Sequence, residues 1–407
     1  MKLIKCRICK KNLKKILNLG KITLVGEFPI KKKKLKRYNI SLNYCKICKH
    51  VQIAELINPN KLFKNYLWET GVSSTNIKLI EDIIKKLKKY DIGKKSKVLE
   101  IACNDGSFLN ILQKKVGCFS AGIDPAQNLS KKNKSKKIIR LVDYFNKKSS
   151  NKIKKKYGKF DFLFARNVLA HVKDPNVIFA GAKNVMSTKG VFIIEAPSLL
   201  NILKFNQYDN IFHEHIGFHS LKSVLDLSKS NKLKVIDIEK IESQGGSLRY
   251  FITHLESDFK ISKKVDQFLK YEIKNKLFNE KNLLSFRNKI NNHRKILFKF
   301  LKNLKDTGKK ISVYGASGKG QALMQFCKID SHIVDFCFDR SKLKQKKFTP
   351  GTNIKIIDPS LINQLPVNYL LLLSWNLKKE ILKQQKKFVS KGGKFIVPFH
   401  RPRIEIK

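Results

Sequence analysis

Acidic residues are scarce in this chain: 31 Asp and Glu stand against 86 Lys and Arg, a formal net charge of +55. Tryptophan occurs twice and methionine three times, and 407 residues hold only 10 prolines and 20 glycines. So little Pro and Gly excludes collagen-like and linker-like chains. No run of about 18 apolar residues exists, so no membrane span is expected. The opening MKLIKCRICKKNLKK has neither an apolar core nor a small-residue cleavage site. It does not read as a signal peptide, and the expected compartment is the cytoplasm. Eight cysteines are too few for a disulfide scaffold, and in a reducing compartment paired Cys more often bind metal. What is plentiful is apolar: 42 % hydrophobic and 10 % aromatic residues build packed cores and exclude wholesale disorder. The length implies two or three domains.

The charge admits two readings. One is a nucleic-acid binder held by phosphate contacts. The other is compositional drift. Only 10 of the 86 basic residues are Arg, the side chain that best reads base edges. The lysines are spread along the chain as KK and KKK runs rather than gathered on one element. Drift is the preferred reading, and no specific nucleic-acid partner is expected.

Four segments separate by character, and the fold class expected is α/β. Residues 1–75 carry two Cys pairs. Residues 76–258 alternate short apolar runs with helical patterns, as a parallel sheet does. Residues 259–305 hold apolar positions at helical spacing, including Val265, Phe268, Leu269, Ile273 and Leu277, and read as a connector of one or two long helices. Residues 306–407 restart the strand–loop–helix pattern at ISVYGASGKG.

Cys6-x-x-Cys9 and Cys45-x-x-Cys48 form two knuckles with 35 residues between them. Two such pairs complete a four-thiolate zinc site, closed and therefore structural. The alternative is four buried free thiols.

SKVLEIACNDGSFL, residues 96–109, reads as a strand bearing Glu100, a tight turn through Ala102, Asn104, Asp105 and Gly106, and a helix start. It resembles motif I of class I S-adenosylmethionine (SAM) methyltransferases, with Ala102 and Asn104 where glycines are usual. Asp124 closes the next strand 19 residues past Asp105, placed to grip ribose hydroxyls. Asp143 and Tyr144 end a third strand and could flank an adenine. Arg166-Asn167 is a polar turn after a fourth, FDFLFA. No basic residue interrupts the first turn, which suits SAM better than NAD. A nucleotide-binding sheet of another kind remains the alternative.

NIFHEHIGFHS, residues 210–220, sets three His and Glu214 in one short stretch. His213 and His215 lie two apart, which fits a strand or loop rather than a helical ligand pair. General acid–base work by a His oriented by a carboxylate is the reading favoured over metal binding or a surface loop. SQGGSLR follows, with Arg249 able to face a phosphate, or else forming a plain hairpin turn. Gly315, Ser317 and Lys319 lie in a second glycine turn that opens a helix, either a pyrophosphate cradle or a structural turn.

Taken together these motifs resemble the three-domain SAM-dependent sugar C-methyltransferases, over nearly the whole chain. CRIC…CKIC, YLWETGVSST, VLEIACNDGSFL, RNVLAHVKDP, HEHIGFHS, GGSLR, VYGASGKG, FTPGTNI and LSWNLKKEI occur in the family's order. The resemblance implies a zinc-binding domain (1–75), a class I methyltransferase domain (76–258), a helical connector (259–305) and a C-terminal Rossmann-like substrate domain (306–407). The implied cofactors are SAM and structural zinc. The implied substrate is a nucleotide-linked keto-deoxysugar lying between the last two domains. The base maps onto His215, with Glu214 and His213 at neighbouring substrate and support positions. Tyr66 matches a family tyrosine, and His213 or Tyr66 could donate to an enolate oxygen. Phe212 stands where the family commonly has Tyr. O- or N-methylation, or a basic nucleic-acid-binding methyltransferase, are the alternative activities.

Overall fold

The computed structural model describes residues 4–130 and 137–405. The chain forms two compact units: residues 1–15, 43–200 and 216–278, and residues 16–42, 201–215 and 279–407.

The first unit is built on seven strands: β1 (Lys97–Ile101), β2 (Phe119–Ile123), β3 (Ile139–Leu141), β4 (Phe160–Arg166), β5 (Met186–Pro197), β6 (Leu233–Ile241) and β7 (Ser247–His254). Their order in the sheet is β6-β7-β5-β4-β1-β2-β3. β1 to β5 pair in parallel, and β7 runs antiparallel between β5 and β6. This is a doubly wound α/β sheet, the fold class expected from the sequence. Successive side chains of a strand point to opposite faces, and here both faces are covered. Val98 joins Ile80, Ile83 and Leu109 in one core, while Leu99 joins Phe179 and Ala182 in the other. Helices Ser74–Leu87 and Ser107–Val116 supply the first core and Pro175–Val185 the second. Burial on both sides is why these strands read as continuous apolar runs. The carboxyl ends of β1, β2 and β4 open on one edge, where doubly wound sheets bind ligands.

The second unit holds a Rossmann-like sheet of β8 (Ile311–Tyr314), β9 (Phe336–Phe338), β10 (Lys355–Ile357), β11 (Tyr369–Leu372), β12 (Lys394–Val397) and β13 (Arg403–Glu405). The order is β10-β9-β8-β11-β12-β13, all parallel except the β12–β13 pair. Residues 16–42 pack in this unit: the Thr23 amide donates to Gln325 Oε1 (2.8 Å) and the Phe348 amide to the Pro29 carbonyl (2.8 Å). The sequence segments and the compact units therefore divide the chain differently. The segment 1–75 contributes to both units, and so does 76–258 through residues 201–215. The stretch 259–305 folds as two helices, Lys263–Lys274 and Glu280–Asp306. Between them Lys276 takes a left-handed φ of 54°, and Asn279 caps the second helix by accepting from the Lys281 amide. Among the described residues no helix is long and apolar enough to cross a membrane.

Candidate functional site

The two knuckles meet in the first unit. The Sγ atoms of Cys6, Cys9, Cys45 and Cys48 all lie within 4.8 Å of one another, with Cys6–Cys48 and Cys9–Cys45 at 3.4 Å. Sulfurs bound tetrahedrally to zinc are about 3.8 Å apart, so small adjustments admit the ion. Each knuckle closes the same way. The Lys10 amide donates to the Cys6 carbonyl and the Lys49 amide to the Cys45 carbonyl, both at 3.0 Å. Lys10 and Lys49 both take φ near 60°. The contact between Cys6 and Cys48 lowers the Cys6 thiol and raises that of Cys48, so the two sulfurs share a proton that a bound metal would displace.

The carboxyl edge of the first sheet gathers most of the residues expected at SAM. Ala102, Asn104 and Gly106 have φ of 57°, 53° and 76°. The turn thus needs the left-handed region where glycine is usual, and two other residues occupy it. Left-handed φ costs Ala about 1–2 kcal/mol, against about 0.5–1 kcal/mol of extra backbone entropy lost by Gly. Ala102→Gly should therefore be neutral or stabilising by up to about 1.5 kcal/mol. Urea unfolding checks this, and a clear loss of stability would refute the strain account.

Asp124 holds this turn. Its Oδ2 accepts from the Asn104 amide and its Oδ1 from the Ala126 amide, both at 2.8 Å. Burial raises its pKa, and these amides oppose the shift. Each oxygen keeps a second lone pair, which suits it to a ribose diol. Glu100 is buried. Its Oε1 accepts from Arg166 Nη2 at 2.8 Å, and its Oε2 has no hydrogen-bond partner among the described residues. Burial outweighs Arg166 and pushes its carboxyl up to about 7. Asn167, at φ 56°, leaves Oδ1 buried and likewise unpartnered. Unmatched buried acceptors beside a left-handed turn fit a ligand carrying an ammonium and a diol, as SAM does. Asp105 accepts from the Gly71 amide (2.9 Å) and the Ser107 amide (3.0 Å). Asp143 is exposed, while Tyr144 is half-buried with its hydroxyl donating to Asn60 Oδ1 at 3.0 Å. Asp124→Ala should weaken SAM binding by about 1.5–3 kcal/mol, the worth of a hydrogen bond to a charged group. Calorimetry with an unchanged dissociation constant would remove Asp124 from the site.

Residues 64–71 form a strap over this edge that no local pattern announces. The Thr70 amide donates to Asn104 Oδ1 (2.9 Å), Asn104 Nδ2 to the Trp68 carbonyl (3.1 Å), and the Gln127 amide to the Lys64 carbonyl (3.1 Å). Tyr66 sits in this strap, its amide donating to Asn128 Oδ1 at 2.9 Å.

The three histidines of 210–220 part company. His219 belongs to the first unit, where it is buried beside His50 with Nε2 3.4 Å from the Leu169 carbonyl. Burial lowers it to about 3, so it is a neutral core residue. His213, Glu214 and His215 belong to the second unit. His213 is buried, its Nε2 3.3 Å from the Asn39 carbonyl and its ring edge-on to Tyr38. Glu214 is buried against the loop at Gly26, where a Cβ would lie 3.3 Å from its Oε1. His215 is half-buried, with Nδ1 3.0 Å from the Asn210 carbonyl and its ring 4.2 Å from that of Phe212. A carbonyl only accepts, so Nδ1 carries the proton and the basic lone pair falls on Nε2.

In the second glycine turn Gly315 takes φ 95°, and a Cβ there would collide with Ser374. Ser317 caps helix Gly318–Cys327, its hydroxyl accepting from the Gly320 amide at 3.2 Å. Gly318 abuts Phe212, whose ring lies 3.3 Å from the place of its Cβ. Lys319 is buried, which lowers it to about 8 against the opposing pull of Asp209. Asp339 was not singled out from the sequence. Its carboxylate accepts from the Ala316 amide (2.6 Å) and the Ser341 amide (2.7 Å), repeating the clamp Asp124 makes. The signal was available, since Asp339 ends FCFD as Asp124 ends GID.

Arg249 corrects an expectation. It is fully buried, with Nη2 2.7 Å from Glu195 and Nη1 3.0 Å from Glu239 and 3.3 Å from Asp82. A buried guanidinium is tolerable only when paired, and this pairing leaves no face for a phosphate.

Three family models match successive stretches of the chain: a zinc binding domain over residues 6–63, a methyltransferase domain over 73–238, and a C-methyltransferase C-terminal domain over 242–400. The C-methyltransferase NovU of Streptomyces niveus is 29 % identical over 364 residues, covering 88 % of this chain and 86 % of that protein. Magnesium protoporphyrin IX methyltransferase from Synechocystis PCC 6803, solved with bound SAH, is 10 % identical at a TM-score of 0.36, covering 46 % of this chain and 90 % of its own. The PH0226 protein of Pyrococcus horikoshii OT3 is 18 % identical at 0.36, covering 49 % and 100 %.

Proposed function

Because the chain belongs to the three-domain SAM-dependent C-methyltransferases, we propose that its acceptor is a nucleotide-linked keto-deoxysugar and that His215 removes the proton beside the ketone. The observation that carries this reading is the Nδ1 contact with the Asn210 carbonyl at 3.0 Å, which leaves the basic lone pair of a half-buried imidazole on Nε2. Bound SAM supplies an electrophilic methyl on a sulfonium. The chain's work is to order the reactants, since near-attack geometry is a large share of the barrier. His215 Nε2 takes the proton from carbon, and the enolate carbon is methylated. The enolate oxygen needs positioned donors, and His213 and Tyr66 are the candidates. Glu214 supports the acceptor beside His215. On the donor side the proposal keeps Glu100, Ala102, Asn104, Asp105, Gly106, Asp124, Asp143, Tyr144 and Asn167. Gly315 and Ser317 would cradle the pyrophosphate, with the buried Lys319 adding positive charge behind the turn. The division into 1–75, 76–258, 259–305 and 306–407 is retained as a division of labour.

The test is incubation of the full chain with SAM and a panel of nucleotide 4-keto-6-deoxysugars, read by mass spectrometry and carbon NMR. A new carbon–carbon bond beside the ketone is expected. A methyl on oxygen, or no methylation of any sugar nucleotide, would overturn the reading.

A further inference from the structure

Three arginines project from the sheet of the first unit, and one of them is not matched like the others. Arg166, on β4, makes two hydrogen bonds to Glu100 Oε1, from Nε at 3.1 Å and from Nη2 at 2.8 Å. Arg249, on β7, lies within 3.3 Å of three carboxylates. Arg140, on β3, has a side chain only 6 % exposed. Its Nη2 makes a long contact with the Ala126 carbonyl (3.5 Å) and lies 4.0 Å from Asp124 Oδ1. Its Nε and Nη1 are buried with no hydrogen-bond partner among the described residues.

The strand register brings Arg140 to this place. It pairs with Gly122 on β2, and register partners of neighbouring strands share a face of the pleat. A Cβ at Gly122 would lie 2.6 Å from Cys103 Sγ and 2.7 Å from Leu109 Cδ1, so glycine keeps that face clear. Burying a guanidinium with two idle donors costs stability, and the group that benefits is Asp124. Each Asp124 oxygen accepts one backbone amide and keeps a second lone pair. An arginine bonded directly to it would occupy those lone pairs, as Arg166 does on Glu100 Oε1. At 4.0 Å Arg140 acts through charge. It favours the ionised carboxylate and leaves both oxygens able to receive hydroxyls. Its contact with the Ala126 carbonyl also braces the residue whose amide holds Oδ1. Of the described groups acting on Asp124, Arg140 supplies the positive charge. Burial and Asp105 push the Asp124 pKa up, Glu100, Cys103 and Tyr144 are themselves acids, and the Ala126 and Asn104 amides carry no net charge.

We propose that Arg140 is a positioning residue of the cofactor site, a charge set behind Asp124 that holds it as an anion aimed at the ribose of SAM. The proposal rests on the reading of Asp124 as the ribose ligand.

S-adenosylhomocysteine is the probe, since it carries the ribose without the sulfonium charge. Calorimetry on the full, zinc-loaded chain reads its dissociation constant from about pH 6 to about pH 8.5. Protonation removes the charge that receives the hydroxyls, so affinity falls below the pKa of Asp124, and removing a nearby positive charge moves that pKa up. Arg140→Met fills similar space with an apolar chain. It should weaken binding about tenfold or more near pH 6, and by no more than about threefold near pH 8.5. Glu100, pushed up to about 7, titrates in both proteins, and its effect cancels in the ratio of variant to wild type. Arg140→Lys keeps the charge and should restore the wild-type profile, a rescue that a packing role does not give. Asp124→Asn has no carboxyl to titrate, and adding Arg140→Met to it should leave the pH profile unchanged. Should Arg140→Met fail to fold, Arg140→Gln is read in the same way. A ratio that stays level with pH, while Asp124→Asn itself binds weakly, overturns the role of Arg140 and leaves Asp124 at the ribose. Wild-type affinity in Asp124→Asn at every pH removes Asp124 from the site, and the proposal with it.

Discussion

His215→Asn is expected to lower turnover by about 10²–10⁴-fold, the usual worth of a general base, while leaving SAM affinity near that of the wild type. Asparagine keeps an approximate shape and a side-chain donor that can still face the Asn210 carbonyl, but it has no titrating nitrogen. The expectation follows from two features of the loop. The contact between Nδ1 and that carbonyl, at 3.0 Å, fixes which nitrogen is basic. The half-buried ring leaves the imidazole reachable, in contrast with His213 and His219, which are both buried. Exchange of the substrate carbon's proton with solvent isolates the step, because it needs the base and not the methyl donor. Wild-type exchange in His215→Asn would place the base elsewhere, with His213 and Tyr66 the first alternatives.

The strands and glycine-bearing turns were legible because their signals are local. A strand, a tight turn and a helix start within 14 residues identify the SAM edge even though two expected glycines are absent. Their absence is now understandable: what the turn requires is left-handed φ at 102, 104 and 106, and Asn visits that region readily while Ala tolerates it at a cost. The knuckles were legible from spacing alone. Lys10 and Lys49 in left-handed conformations were not, since lysine carries no signal for such a position.

What escaped the sequence depends on partners far along the chain. The strap at 64–71 exists because its backbone finds Asn104 and Asn128, and no pattern within YLWETG announces that. Arg249 looked like a phosphate ligand because a Gly pair precedes it. Its real partners, Glu195, Glu239 and Asp82, lie on β5, on β6 and in the helix before β1. The packing of residues 16–42 with the second unit is of the same kind. Thr23 and Gln325 are 302 positions apart, and apolar periodicity says nothing about which distant partner a segment will meet. The HEH cluster was partly legible: proximity in sequence grouped three histidines, but only tertiary context separates a neutral core residue such as His219 from a reachable one such as His215.

Removing one zinc ligand should have the largest effect on stability. Wild-type chain is expected to hold about one zinc, and Cys45→Ser to lose it. Structural zinc binding is worth about 10–16 kcal/mol in small peptides at neutral pH, and that binding energy is folding energy. The share at stake here is local. Cys6 and Cys9 belong to a segment that reaches the rest of its unit chiefly through the knuckle turns, the Arg7 contacts with Gln52 and Lys173, and Asn176 Nδ2 donating to the Arg7 and Ile8 carbonyls. The sheet of β1 to β7 has its own two cores. Cys45→Ser should therefore leave that sheet folded and SAM binding measurable, while hydrogen exchange rises steeply in residues 4–15 and 43–56. The knuckle amides should lose protection first, because their carbonyl partners are placed by the same turns that present the thiolates. Chelation of zinc from the wild type should reproduce the pattern, and zinc added back should reverse it. A metal-free chain with wild-type melting and undisturbed exchange in those residues would show that four buried thiols hold this end of the protein without an ion.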